Sequence, residues 1–247
     1  MSATRAVRNR HHQRRPRDLM VLLLAVAGGS VDAIIILGFS VLTAAQTGNT
    51  ILLAVSLAQG RFTTAFDSAI SIVAYLIGAA VGELIIVARR VAAFWLTPVG
   101  WTLLAELAAL GSLLTAWRLA GPKPDAGTSA VLVALAAVAM GVQSAAVLRL
   151  HAGPTTTYVT GTLTTFATEA IRWLHLVEAA RPVVPAQQGT SGAVMSSDLP
   201  WIYGLTWLVY AGGALASGLV YLRMGAAALI LPIAAILAVM VAGARRQ

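Results

Sequence analysis

The chain has no cysteine. Disulfides, thiolate metal sites and a cysteine nucleophile are therefore excluded. Charge is scarce as well: Asp and Glu number 9 and charged residues make up 11%, against about 25% in an ordinary soluble domain. Lysine is nearly missing, since 16 of the 17 basic residues are Arg. With the abundance of alanine, this reads as the product of a GC-rich bacterial genome. The signatures of soluble chemistry are missing too. There is no P-loop, no Gly-x-Ser-x-Gly and no complete dinucleotide fingerprint. His11 and His12 sit together near the start, His151 and His175 stand alone, and no His or Glu spacing suits a metal. The expectation is no catalytic residue, no cofactor and no metal, hence no enzyme. No stretch has room for a nucleotide-driven motor, so any transport would draw on gradients or be passive.

What is present is apolar. Hydrophobic residues make up 58% of the 247, above the 45–50% or so of a soluble domain. Several apolar runs reach the roughly 18 residues that a bilayer core demands of a helix. The chain therefore reads as a membrane protein whose main partner is the lipid bilayer. Its net charge of +8 is concentrated in Arg5, Arg8, Arg10, Arg14, Arg15 and Arg17. A basic tail beside a membrane helix marks the cytoplasmic side and attracts anionic headgroups. It lacks the interleaved aromatics that stack bases, so nucleic acid is not expected. The start also resembles a cleaved signal, with Ala25-Val26-Ala27 after an apolar run. The run continues to Leu42, however, and a retained anchor is the better reading.

The chain repeats itself. Shifted by 113 residues, Gly28, Ala33, Leu37, Thr43, Thr47 and Gly48 meet Gly141, Ala146, Leu150, Thr156, Thr160 and Gly161. In that register Asp32 faces Ala145. Shifted by 135, Tyr75 meets Tyr210, Gly78 meets Gly213 and Gly82 meets Ser217. The expected fold is all-α, a polytopic membrane helix bundle with two internal repeats. Each repeat has three long helices and one short helix, either re-entrant or a short span. The expected segments are 19–42, 48–59, 64–88 and 98–118, then 128–150, 160–175, 200–222 and 226–244. The expected domains are a basic tail 1–18, repeat one 19–119, a Pro/Gly-rich linker 120–127 and repeat two 128–247 with a polar loop at 181–198. Six spans make the halves inverted and eight make them parallel. Counting basic residues does not decide, because either arrangement leaves 13 of the 17 on the side of the termini. Six spans are preferred, since lipid-exposed polar backbone is costly. Both termini are expected in the cytoplasm of a multi-pass protein of the bacterial inner membrane.

Two stretches carry the candidate site, "TAAQTGNT" and "TTTYVTGTLT". A helix that begins inside the membrane leaves N–H groups without partners and points its positive end at a cavity. Matching breaks in two repeats are where transporters bind solutes. Thr47, Gly48, Asn49, Thr160, Gly161 and Thr162 are thus candidates for solute binding, against the alternative that they only cap helices. Asp32 falls near mid-bilayer, where a carboxylate is expensive. It is either a proton carrier or ion ligand, or a structural acid satisfied by the break. Gln143 and Ser144 lie at its level. Gln143 is a candidate site residue, against simple interhelical bonding. Glu106 falls deep in its helix and Glu83 near the end of its own. Glu169 and Arg172 form a local pair. Arg149 either holds an anion or snorkels. Gly78-x-x-x-Gly82 and Gly213-x-x-x-Ser217 are close-packing motifs.

"GGSVDAIIILGF", "TAAQTGNTILLAVSLAQG" and "GVQSAAVLRL", taken with "TTTYVTGTLT", resemble the YoaK-like family of bacterial membrane proteins, a domain of unknown function. The resemblance covers about residues 19–244, with Gln46 where the family often has Met. It implies class and architecture and brings no activity. The functional expectation is a small secondary transporter of a small, anionic solute, coupled to protons through Asp32. The alternative is a non-transporting membrane scaffold that binds lipid or a partner.

Overall fold

The computed structural model describes residues 3–89, 97–150, 159–173 and 201–244, with the tail up to Arg17, Arg89, Glu169, Arg172 and Trp173 described in backbone only. Arg90, His151, His175, Arg181, the loop 181–198, Arg245 and Arg246 lie outside the described residues. Among the described residues every regular element is helical. The helices are α1 (Ala3–Phe39), α2 (Gln46–Ala58), α3 (Phe62–Arg89), α4 (Pro98–Ala120), α5 (Ala126–Leu150), α6 (Val159–Trp173), α7 (Trp201–Met224) and α8 (Ile230–Ala244). A 3-10 turn, Gly225–Leu229, joins the last two. The eight expected segments are thus all helices. The last differs from expectation: α8 starts at Ile230, because Gly225 adopts a left-handed φ of 57° and ends α7.

Local chemistry sets the other ends. Thr97 caps α4, accepting from Gly100 N at 3.2 Å, and Pro98 takes the first helical position. Asp125 caps α5, accepting from Thr128 N at 2.9 Å. Gly60, at φ 69°, makes the turn between α2 and α3. Ser40 ends α1 with φ 61°, the one left-handed non-glycine among the described residues.

Five stretches are long and apolar enough to cross a membrane: Asp18–Phe39, Phe62–Ala88, Pro98–Ala120, Ala126–Leu150 and Trp201–Ala244, the last joining α7 to α8. The distribution of polarity agrees. Leu76, Leu84, Leu215 and Leu222 lie more than half exposed on these helices, whereas Asp32, Asn49, Glu106 and Gln143 are buried. Apolar outside and polar inside is the arrangement that lipid selects.

Two crossings hold the bundle together, and they are built alike. α1 and α7 run parallel where a Cβ on Gly29 would strike the Tyr210 carbonyl and one on Gly213 would strike Val26. α3 and α5 run parallel where a Cβ on Gly141 would strike the Tyr75 carbonyl and one on Gly78 would strike Val138. Only glycine lets backbones approach this closely. α4 connects to α5 through five residues and packs back on it, so the two are antiparallel. The Trp117 ring, near the end of α4, meets Phe39 at 4.8 Å and Tyr221 at 5.9 Å between centroids. Gln143, near the end of α5, donates to Leu24 O near the membrane entry of α1 at 2.6 Å. These contacts make α1, α4 and α7 run one way and α3, α5 and α8 the other.

Candidate functional site

After Ser40 the chain turns back until residues 43–45 stand beside Asp32, one α-helical stretch earlier. Asp32 is 4% exposed. Its Oδ1 accepts from Thr43 N at 2.6 Å, Thr43 Oγ1 at 3.1 Å and Ala44 N at 2.7 Å. Its Oδ2 accepts from Ala45 N at 3.2 Å and from the Tyr210 hydroxyl at 2.7 Å. Hydrogen bonds to a charged acceptor contribute roughly 1.5–3 kcal/mol each. Ala45, at the head of α2, offers no side chain to cap the helix. The carboxylate of Asp32 instead gathers the three N–H groups that lead into α2, near the positive end of its dipole.

Asn49 is the second organiser and is fully buried. Its Oδ1 accepts from Leu42 N at 2.9 Å. Its Nδ2 donates to Leu42 O at 2.6 Å, Gln46 Oε1 at 2.8 Å and Ser71 Oγ at 2.9 Å. The Ser71 hydroxyl donates to Leu42 O at 2.7 Å. Gln46 Nε2 closes the loop by donating to Thr43 O at 2.7 Å. The polar backbone of the break is therefore satisfied by Asp32, Gln46 and Asn49 from its own neighbourhood and by Ser71 from α3, while Tyr210 of α7 completes the Asp32 carboxylate. Because Asn49 meets Ser71 across the Gly60 turn, α2 is antiparallel to α3 and runs in the direction of α1. It starts at the depth of Asp32 and climbs back to the face that α1 has already reached.

The remaining candidates divide. Gln143 stands close to this cluster: a Cβ on Gly28 would lie 3.7 Å from Gln143 Oε1 and 3.7 Å from the Tyr210 ring. Gln143 Oε1 has no hydrogen-bond partner. Thr47 points outward and is exposed, and Gly48 is half-buried against Leu42. Thr160, Gly161 and Thr162 open α6, which rests on α7 through Phe166 against Gly204 and Trp201, with ring centroids 6.4 Å apart. The described residues do not bring them against Asp32 or Asn49. Thr160 is exposed and Thr162 buried, and the Gly161 carbonyl accepts from Thr165 at 2.8 Å.

Sequence reasoning missed three contributors. Tyr210, Ser71 and Gln46 complete the network, and Tyr75 copies part of it by donating to Ser144 Oγ at 2.8 Å. The available signal was a tyrosine at matching places in two apolar helices. Arg149 neither stands alone nor faces open solvent: it pairs with Glu83 on α3, with Nε 3.2 Å from Oε2. Glu83 therefore finds its cation across the α3–α5 crossing. Two open grooves on the outer face are apolar, one between α2 and α3 beside Leu57 and Phe66, the other between α1 and α7 beside Leu37 and Leu222.

No curated protein and no solved structure matches the chain. One family profile does, described as a protein of unknown function, DUF1275, and it spans residues 20–242. That span runs from within α1 to within α8 and includes the break, and the chain belongs to this YoaK-like family of unknown function.

Proposed function

We propose that the chain is a small secondary transporter of the bacterial inner membrane, carrying a small solute, anionic in character, with protons as the coupling ion. It is a carrier and not an enzyme. The observation that carries this reading is the buried carboxylate of Asp32, which ties a mid-membrane break to Tyr210 on a distant helix. Withdrawing Asp32 from the break would free the donors of five hydrogen bonds at once. An incoming anion would then take its place at the head of α2, with Asn49 and Gln143 beside it.

The same reading takes the chain as an inverted duplication that crosses six times, with both termini in the cytoplasm. Matching contacts support it. Gly29 meets Tyr210 and Ala214 as Gly141 meets Tyr75 and Ala79. Gly213 meets Val26 as Gly78 meets Val138. These equivalences favour a shift of 112 along α1 and α5, in place of 113. At 112, Val21, Leu23, Ala25, Val26, Ala27, Gly29 and Ala33 find identical mates, and Asp32 corresponds to Ser144. Tyr210 on Asp32 and Tyr75 on Ser144 then become one contact made twice. The antiparallel course of α1 and α5 supports inversion. It puts Arg61, Arg118, Lys123 and Arg223 on the face away from the basic tail.

A membrane scaffold is the second reading. It is favoured by one observation, that Asp32 and Asn49 are fully partnered by the chain itself. Purified protein in liposomes loaded with a pH-sensitive dye separates the two. A carrier acidifies the lumen when succinate, glutamate or gluconate is added outside, and Asp32→Ala abolishes the signal. No flux with any of these anions, and no shift in melting temperature with them, favours the scaffold.

A further inference from the structure

Outside the break, one side chain is out of place by every physical measure. Glu106 is fully buried, and neither carboxyl oxygen has a hydrogen-bond partner. It lies eight residues into α4 from Pro98, about 12 Å along the helix axis, so it sits near the middle of the span. Its face of α4 is otherwise Leu103, Leu110, Leu113 and Trp117 of the hydrophobic core, with Thr102, whose hydroxyl is given to Val99 O at 2.7 Å.

Among the described residues no cation answers it. α4 packs on α3, α5, α8 and the 3-10 turn, and through the Trp117 ring, three turns beyond Glu106, on Phe39 of α1 and Tyr221 of α7. The 3-10 turn and α8 carry no ionisable side chain. The one charged residue of α5 is Arg149, which is held by Glu83 near the ends of α5 and α3. On α3, the Tyr75 hydroxyl is given to Ser144. Asp67 lies in the first turns of that helix, near the far end of α4, and Arg89 is its last residue. On α4 itself, Arg118 is exposed and lies three turns beyond Glu106.

A carboxylate in an apolar interior without a cation or a donor does not stay charged; it takes up a proton instead. Even as the neutral acid, Glu106 leaves polar atoms unpaired where leucine would pack. Acids kept at membrane depth at such cost mark proton paths.

We infer that Glu106 is the proton-binding residue of this protein. It holds its proton in the conformation described and exchanges it in one that admits water to α4. Asp32 is then the latch on the break, and Glu106 carries the coupling ion. This deepens the proton-coupled reading and rests on it for its purpose, but its test does not need a solute.

The test is infrared spectroscopy of the full chain in lipid vesicles at neutral pH. The expected spectrum shows the carbonyl stretch of an un-ionised carboxyl group, and that band is lost in Glu106→Gln. Glu106→Met is the second variant, since it removes the unpartnered atoms and keeps the volume; it is expected to fold and to lose the same band. On transfer to heavy water the wild-type band shifts downward as the carboxyl takes deuterium. A wild-type spectrum with no such band overturns the inference, and so does a band that survives in both variants. A band that keeps its position in heavy water overturns the exchange. Absence of solute-driven flux in wild-type vesicles would sink the transport reading and leave these spectra to judge Glu106.

Discussion

The hydroxyl of Tyr210 donates to Asp32 Oδ2 over 2.7 Å, joining residues 178 positions apart in the chain. It is the one bond in the Asp32 cluster that comes from outside the break. It therefore holds α7 to α1 as well as satisfying the acid.

Tyr210→Phe removes this bond and nothing else of the ring. One hydrogen bond to a charged acceptor is lost, and the expected cost is about 1.5–3 kcal/mol. Thermal unfolding in detergent should show a lower melting temperature. Tyr75→Phe, which ends on the neutral Ser144 hydroxyl, should cost less, about 1 kcal/mol. Equal losses would show that the charge on Asp32 adds nothing.

The glycine crossings make a sharper contrast. Gly141→Ala and Gly29→Ala drive a methyl group into the backbone of the facing helix. Overpacking of this kind costs about 1–3 kcal/mol and occasionally more. Gly111→Ala on α4 meets nothing within 4 Å and should be neutral or stabilising, by up to about 1 kcal/mol. Melting temperatures of the three variants in one detergent check the ordering.

Topology is testable because the chain is free of cysteine. A single cysteine at Arg61, in the turn between α2 and α3, should react in intact cells with an impermeant thiol reagent. Reaction only after permeabilisation would mean that α2 crosses, and inversion of the halves would be lost.

Asp125 gives a pH prediction at the rim. The backbone N–H and then the hydroxyl of Thr128 hold its carboxyl below the ordinary value of 3.8. A depressed value in the folded state means that the cap stabilises α5 at and above the ordinary Asp range. That stability disappears as pH falls through the lower folded value. Hydrogen exchange at the first turn of α5 should stay slow down to about pH 4 and quicken below it. Asp125→Ala should make it fast throughout, and Asp125→Asn should keep it slow, since Asn also caps.

Much of this was legible in the residues. Long apolar runs announced the helices, and Thr47-Gly48-Asn49 announced the break. What escaped was partnership. Nothing near Asp32 in the chain says that Tyr210 will reach it, because that contact depends on how α1 crosses α7. Asn49 read as a solute ligand or a helix cap, and the backbone of Leu42 and the hydroxyl of Ser71 that it binds were not visible beside it in the sequence. Thr47 looked equivalent to Asn49 but, two residues away on a helix, it points to the other side. The 3-10 turn before α8 was hidden for another reason. "GAAAL" is small and apolar, and nothing but Gly225 marks it as other than helix.

The glycine crossings also bear on how the molecule is made. Each joins an early helix to a late one, α1 to α7 and α3 to α5. As the ribosome delivers the chain, α1 enters the bilayer with Gly29 bare and Asp32 short of one donor. Its companion emerges about 180 residues later. Over that interval α1 must be sheltered by lipid, by the insertion machinery or by its own break. A transcript cut before α7 would leave α1 without that companion, and a truncated product should be cleared by membrane proteases where the full chain persists.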